Sequence, residues 1–466
     1  MENNQICKYN RYLSPLDVWA ISFSCTVGWG AFIMPGSTFL PAAGPIGTMI
    51  GLAIGVIVML VIGANVAFLM RQKPGTGGIY RYTKEILGRK HAFLCAWFLS
   101  LSYLSILFLN AISLFTVIRT VFGSRLQIGY HSYHIGGNVI STGEVGASII
   151  ALSCVGLLFI NAKPLLQRLQ TVLAILLLAG VLVVAAFCLP HLGSLNGSFG
   201  MQETSRPLAV LSIVMLTPLI FFGFESVSLE TVHFNFKERV SRWIIPASLL
   251  LSGIVYIALT LVSVAATPDG YTSWQAYIAD LDQMAGLPAI PSFLSSKAIM
   301  GDIGLWVIAL AAMAAILTGM IAAYRAATRM LSTMAENHIL SERFLKTNHS
   351  ILIIMLIAIL ISVFGKNVME CFLDLASMGA VIGFGYTSLS SWKLARKTSS
   401  RLPAVTGAAG TIASVTFAGV GLIPRFMSMK IAGTEKFLLL SLWCLLGLIF
   451  YLRTVVRSDM ASHMKA

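Results

Sequence analysis

Twelve apolar runs, each bounded by glycine, proline or charge, divide this chain and leave it few folds to choose from. Their limits are 16–40, 46–70, 92–121, 143–161, 165–189, 208–232, 243–266, 299–329, 350–364, 369–392, 403–423 and 437–453. A helix needs about 20 mainly apolar residues to cross a bilayer; the short ninth run must borrow length from its flanks. Inside hydrocarbon the backbone has to satisfy its own N–H and C=O groups, which restricts spanning structures to helices and closed barrels. Runs of this length are helical. With only 11% of residues charged and a mean hydropathy of +0.84, against about 25% charged in soluble domains, the expectation is an all-α, polytopic membrane protein of twelve transmembrane helices.

The net charge of +14 could suggest nucleic acid, but the Lys and Arg residues sit in short loops between runs, so the partner they indicate is the lipid bilayer. With the N-terminus inside, 24 basic residues fall on cytoplasmic segments and 8 on external ones, the bias expected of a correctly oriented bundle. This predicts a multi-pass protein of the cytoplasmic (plasma) membrane with both termini cytoplasmic: residues 1–15 as a polar N-terminal stretch without a cleavable signal, so that the first span is retained, and 456–466 as a tail. The polar segment 267–297, with Trp274, Asp280 and Asp282, reads as an external helical cover. The seven cysteines have no metal-ligand spacing and mostly lie in apolar runs, where Cys acts as a small hydrophobe. No metal or cofactor is expected, and no nucleophile–base arrangement suggests an enzyme.

Two of the runs are interrupted. The first contains Cys25-Thr26-Val27-Gly28-Trp29-Gly30-Ala31-Phe32-Ile33-Met34-Pro35-Gly36, and the sixth contains Pro218-Leu219-Ile220-Phe221-Phe222-Gly223-Phe224-Glu225-Ser226. Broken helix is tolerated in a membrane only beside protein or a watery cavity. Such a break offers the positive N-terminal end of one half-helix and the bare carbonyls of the other, which suits a carboxylate and an ammonium on one molecule. Close helix packing through small residues is the other reading of the same glycines. Matched breaks five spans apart point to a transporter built on inverted repeats. The organisation expected is a 5+5 inverted repeat with broken helices 1 and 6 (16–190 and 207–398), followed by two additional C-terminal helices (403–455).

Four stretches resemble the amino acid–polyamine–organocation (APC) permeases, over spans 1 to 10. Gly28-Trp29-Gly30-Ala31-Phe32 is similar to the family's G-S-G-I-F. Pro74-Gly75-Thr76-Gly77-Gly78-Ile79-Tyr80-Arg81-Tyr82, then Leu87-Gly88, is similar to its P-x-x-G-G-x-Y-x-Y…G loop. Phe222-Gly223-Phe224-Glu225 and the close of span eight, Arg329-Met330-Leu331 to Ala335-Glu336-Asn337-His338-Ile339-Leu340, complete the set, with Ser341 where the family has proline. The glycine-rich loop lacks the Lys-Ser/Thr ending of a nucleotide-binding loop.

The resemblance implies that a substrate carboxylate meets N–H groups at Trp29 and Gly30, with Gly28 allowing the approach. It places the ammonium on carbonyls of Thr26, Leu219 and Phe222. Peptide dipoles can hold a zwitterion this way without burying a charged side chain, which is costly in a membrane. Asn110 in span three aligns with a site-facing polar position of arginine exchangers; an interhelical hydrogen bond, worth about 0.6 kcal/mol, is the alternative. Trp29 replaces a common serine and either narrows the pocket or packs outward. Leu219 replaces a gating aromatic, a task open to Phe221, Phe222 or Phe224 unless they are core. Ala323, with Tyr324 beside it, stands where arginine exchangers carry tryptophan, which argues against that substrate.

For coupling, the alignment puts Leu176 where some relatives have a lysine. Glu225 is then the leading intramembrane group to take up and release a proton, a structural acid being the alternative. Asp374 is a second candidate. Thr318 could ligate sodium or bond its own helix, and His233 and His338 are expected to be solvated. The function expected is alternating-access transport of a small-molecule amino acid, neutral or apolar, proton-coupled or exchanging, with H+ or Na+ as coupling ion. The alternatives are an amine or polyamine transporter of the same fold and a non-transporting nutrient receptor.

Overall fold

The computed structural model describes residues 11–123, 132–135, 138–194, 207–421 and 435–463. The expectations that concern residues 1–10, the tail from 464, and loop positions such as Arg125, Arg206, Arg425 and Lys430 lie outside the described residues.

The described chain is almost entirely helical. Helix α1 (Pro15–Thr26) starts where a capping box dictates: the Ser14 hydroxyl accepts the Asp17 N–H at 3.2 Å, Asp17 accepts the Ser14 N–H at 3.0 Å, and Pro15 occupies the first helical position. After a break come α2 (Gly30–Met34), a π-helical turn at Pro35–Phe39 and α3 (Leu40–Gln72). Pro35 has no N–H to give the preceding turn, a usual cause of such a bulge. The chain leaves helical geometry at Gly44 (φ 62°, ψ −177°), which separates the first two apolar runs.

The amphipathic α4 (Gly78–Leu87) precedes the central α5 (Arg89–Phe122), and α6 (Thr142–Asn161) and α7 (Lys163–Cys188) follow. Span six consists of α8 (Pro207–Ile220), a turn at 221–223 and 3-10 turns at Phe224–His233. The remaining helices are α9 (Ser241–Val262), α10 (Trp274–Ala279), α11 (Pro291–Glu336), α12 (Thr347–Ser362), α13 (Met369–Lys397), α14 (Arg401–Gly421) and α15 (Glu435–His463). Among the described residues, nine helical segments are long and apolar enough to cross a membrane; 347–362 and 438–453 are apolar but shorter. The ninth apolar run gains length from its polar N-terminal flank, as α12 opens at Thr347 rather than Ser350.

Two details depart from expectation. A hairpin pairs Ser132–Ile135 with Asn138–Ser141, so the fold is not purely helical. Tyr133 and Ile135 alternate with polar residues, and Gly136-Gly137 separates them from Val139 and Ile140, a hairpin signal too short to read as an apolar run. The polar cover exists as α10 and short 3-10 turns, with Trp274 and Tyr277 buried against Leu40 and Val264. However, Pro291–Met300, expected within or at the edge of that cover, is already the first part of α11, set off from the long span by a break at Gly301 (φ 66°).

Helix α5 packs between α11 and α13, while α3 lies against α8, α9 and α14. The α3–α8 approach requires small residues: a Cβ on Gly55 would sit 2.0 Å from the Thr217 methyl. The N-terminal segment joins span six through a parallel bridge between Leu13 and Phe234, with the Asn235 N–H on the Leu13 carbonyl at 3.0 Å.

Candidate functional site

The two interruptions meet. Between α1 and α2 the backbone opens over 27–29, and the half-helix from Gly30 restarts with 3-10 bonds, Ala31 N–H to Gly28 O at 3.1 Å and Phe32 N–H to Trp29 O at 3.0 Å. The N–H groups of Gly28 and Gly30 have no hydrogen-bond partner among the described residues, and both glycines are half-buried. In span six, Gly223 adopts φ 111°, and a Cβ there would fall 2.5 Å from Cys25 Cβ and 3.3 Å from Cys25 O. Only glycine lets the two chains approach so closely. Cys25 Sγ lies 3.6 Å from the Ser226 hydroxyl across the same contact.

Two side chains fasten this junction. Glu225 is fully buried; its Oε2 accepts the Gly223 N–H and its Oε1 accepts the Tyr103 hydroxyl, each at 2.9 Å. The carboxyl therefore serves as a cap on the break itself. The Tyr256 hydroxyl of α9 lies 3.3 Å from the Thr26 carbonyl and 3.4 Å from the Ile220 carbonyl, one donor shared between the exposed ends of both breaks. Asn110 reaches the other pole: its Oδ1 accepts the Trp29 N–H at 3.3 Å, and its amide N–H donates to Ile106 O. Gly28 and Gly319 flank that amide, each at about 3 Å from where a Cβ would sit. An amide oxygen thus occupies a donor suited to a carboxylate.

A family model for amino acid permeases matches residues 13–456. The chain belongs to the amino acid permease family, within the APC group. Similar proteins include the methylthioribose transporter of Bacillus subtilis, 23% identical over 73% of this chain and 70% of the relative. The branched-chain amino acid permease BcaP of Lactococcus lactis is 21% identical over 85% of each. A vacuolar cationic amino acid transporter of Arabidopsis thaliana is 23% identical over 59% of this chain and 49% of that one. A Na+-coupled sialic acid symporter solved in a substrate-bound outward-open state shares the fold, with a TM-score of 0.54 at 13% identity over 88% and 90% of the two chains. As a permease it is a transporter and not an enzyme.

The permease does not gather every residue singled out in its sequence. Thr26, Gly28, Trp29, Gly30 and Asn110 cluster at the first break, and Leu219, Phe222 and Glu225 at the second. Trp29 is buried, stacked on Phe32 and edge-on to Phe293, so its ring joins an aromatic group rather than facing out. Phe221 packs on Tyr256, Phe222 on Tyr103, and Phe224 on Phe384. Tyr324 instead turns to α6, where its hydroxyl donates to Leu152 O at 3.0 Å. Asp374 is half-buried in the second turn of α13, at the hairpin end of the bundle, where Gly365 meets Ile140. The Thr318 hydroxyl bonds carbonyls of its own helix at 2.7 and 3.1 Å.

Two expectations are corrected. Leu176 points outward, 40% exposed; the inward register of α7 runs through Gln170, Ala174, Leu177 and Val181, so position 176 does not face the broken helix. His233 is buried, not solvated: its Nε2 lies 2.7 Å from an Arg329 Nη, and Arg329 Nε donates to Glu230 Oε1 at 3.1 Å. Arg325 donates to Gln167 at 2.5 Å and Gln170 at 3.2 Å, and Gln170 donates to Ser24 on α1 at 3.1 Å. His338 is exposed, as expected. This network, together with Tyr103 and Tyr256, was missed because each member looked like ordinary core or loop polarity; Arg325 and Arg329 one helical turn apart were the available signal.

The glycine-rich loop braces the same end. Thr231 donates to Gly75 O at 2.8 Å, and a Cβ on Gly78 would lie 2.6 Å from the Ser228 hydroxyl. Burial pushes the Glu85 carboxyl up, but hydrogen bonds and charge from Arg81 and Lys73 outweigh it and hold the group below its usual value.

Proposed function

We propose that this permease moves a neutral or apolar amino acid by alternating access about the junction of the two broken helices, within a twelve-span bundle of two inverted five-helix repeats. The observation that supports it is the contact of Cys25 with Gly223, which joins the first break, whose Gly28 and Gly30 N–H groups have no partner among the described residues, to the second, the Thr26 and Ile220 carbonyls sharing the Tyr256 hydroxyl. Those dipoles supply both poles that a zwitterion needs. Around them the side chains are Trp29, Phe221, Phe222 and Phe224, and among the described residues Glu225 is the charged group at the junction, already spent on Gly223 and Tyr103. An apolar side chain fits that lining better than a charged one, and a branched-chain amino acid permease is among the relatives. Glu225, buried and bonded to the backbone that would move, is the group we assign to proton coupling.

The test is uptake of a radiolabelled amino-acid panel into proteoliposomes, with proton and sodium gradients imposed separately. The reading expects accumulation of leucine, isoleucine or valine, and abolition by Gly28→Leu or Gly30→Leu in protein that still inserts and folds. Inhibition by putrescine or agmatine but by no zwitterion would favour the amine transporter, and binding without accumulation or exchange would favour the receptor.

A further inference from the structure

A cavity of about 530 Å³ opens at the end of the bundle that carries α4, where α3 finishes, α9 begins and α14 begins. Arg71, Arg239 and Arg242 line it with Glu238 and Ser400. The three guanidiniums are near enough for Arg239 and Arg242 to act electrostatically on Arg71, and none of the three takes part in an ion pair among the described residues. Arg71 spends only its Nε, on Ala67 O at 3.2 Å. With Glu238 counted against them, the lining keeps a charge of +2. Guanidinium forks that line one cavity match the oxygens of a phosphate.

What surrounds the cavity selects the source of that phosphate. Arg242 lies over the ring of Trp243, 5.4 Å from its centroid, and Trp243 is 68% exposed, the position of an interfacial anchor. From there Leu250 and Ile254 continue an exposed apolar stripe along α9. Leu402, 75% exposed, with Val405 and Ile412 begins a second stripe on α14. Helix α3 packs against both α9 and α14, so the basic pocket lies where an exposed apolar stripe begins on each of two helices. A soluble phosphate would use the arginines and nothing else; a lipid uses the arginines for its headgroup and the stripes for its chains.

We propose that this pocket binds the phosphate of an anionic phospholipid, with the acyl chains lying along α9 and α14. Juxtamembrane basic pockets between helices are suited to this by charge and by depth.

The experiment is native mass spectrometry of the purified full-length permease in mixed micelles of phosphatidylglycerol and phosphatidylcholine. The wild type is expected to retain phosphatidylglycerol over phosphatidylcholine. Arg71→Gln/Arg239→Gln/Arg242→Gln should weaken that retention on the order of a hundredfold, while Arg343→Gln/Lys346→Gln, altering a different basic loop, should leave it intact. Equal retention of the two lipids by the wild type overturns the proposal without reference to any variant. So does retention unchanged in the triple variant or equally reduced in the control. Displacement of the bound lipid by millimolar inorganic phosphate would overturn the lipid assignment in favour of a soluble anion.

Discussion

Gly223→Ala tests the junction most directly. The substituted methyl would start 2.5 Å from Cys25 Cβ and 3.1 Å from its Sγ, against an optimal carbon–carbon separation of about 3.5–4.0 Å. Relief requires the two breaks to part by roughly 1 Å. At φ 111° an L side chain adds about 1–2 kcal/mol of backbone strain, and overpacking a tight site adds about 1–3 kcal/mol. The expected loss is therefore about 2–5 kcal/mol, read by equilibrium unfolding in mixed micelles, with uptake abolished in the fraction that stays folded. Cys25→Gly removes the atoms that collide. In the double variant most of the overpacking should go, leaving the backbone strain and the 3.3 Å approach to the carbonyl oxygen at position 25, a coupling of about 1–3 kcal/mol in a double-mutant cycle, in which the costs private to Cys25→Gly cancel. A cycle that closes additively, or a Gly223→Ala protein that unfolds and transports like the wild type, would refute the claim that the breaks touch through this glycine.

Asn110→Asp keeps shape but places an anion against the Trp29 N–H; zwitterion affinity should fall at least about tenfold, one fixed charge near the carboxylate costing about 1.4 kcal/mol or more, as competition binding would report. Glu225→Gln should abolish the stimulation of uptake by an imposed proton gradient and leave exchange between equal internal and external substrate measurable; a persisting gradient effect would exclude Glu225 as the coupling group. Tyr103→Phe removes one of two partners of a buried carboxylate and should cost about 1.5–3 kcal/mol in unfolding free energy, the range for hydrogen bonds to charged groups. Glu230→Gln leaves Arg329 without its counter-charge; because the Arg329 side chain stays 39% exposed, the loss should lie near or below the lower end of the about 3–5 kcal/mol seen for fully buried pairs.

How far the sequence could be read follows from what each residue type betrays. Gly28, Gly30 and Gly223 stand out because they fall in two matched mid-span interruptions five spans apart, and Asn110 and Glu225 stand out because polarity there is costly. Tyr103 and Tyr256 do not, since a tyrosine in an apolar run looks like core until a distance shows its hydroxyl on a carboxylate or a carbonyl. Register was harder still. Leu176 and Leu177 are equivalent by composition, yet one is exposed and the other buried, because one residue is a 100° step around a helix. His233 was misread for a related reason: at the end of an apolar run it looks solvated, and only the fold brings Arg329 from a helix nearly a hundred residues away.

The two ends of the bundle are closed by different physics. Toward α4, Glu230, Arg329, His233, Arg325, Gln167 and Gln170 tie span six, α7 and α11 through charge-assisted bonds, and Gln170 adds a neutral bond to Ser24 of α1. Beyond the junction on the other side, Trp29, Phe32 and Phe293 meet ring to ring, and Gly36 lies against Pro291. Parting the first set means hydrating or re-pairing buried ions, and geometry decides sharply whether the set is made or broken. Parting the second exposes apolar surface in proportion to the area opened, at about 25 cal/mol per Å². Under alternating access the polar end would therefore behave as a latch with two discrete states, and the aromatic end as a lid whose closure scales with how well the bound side chain fills the space behind Trp29.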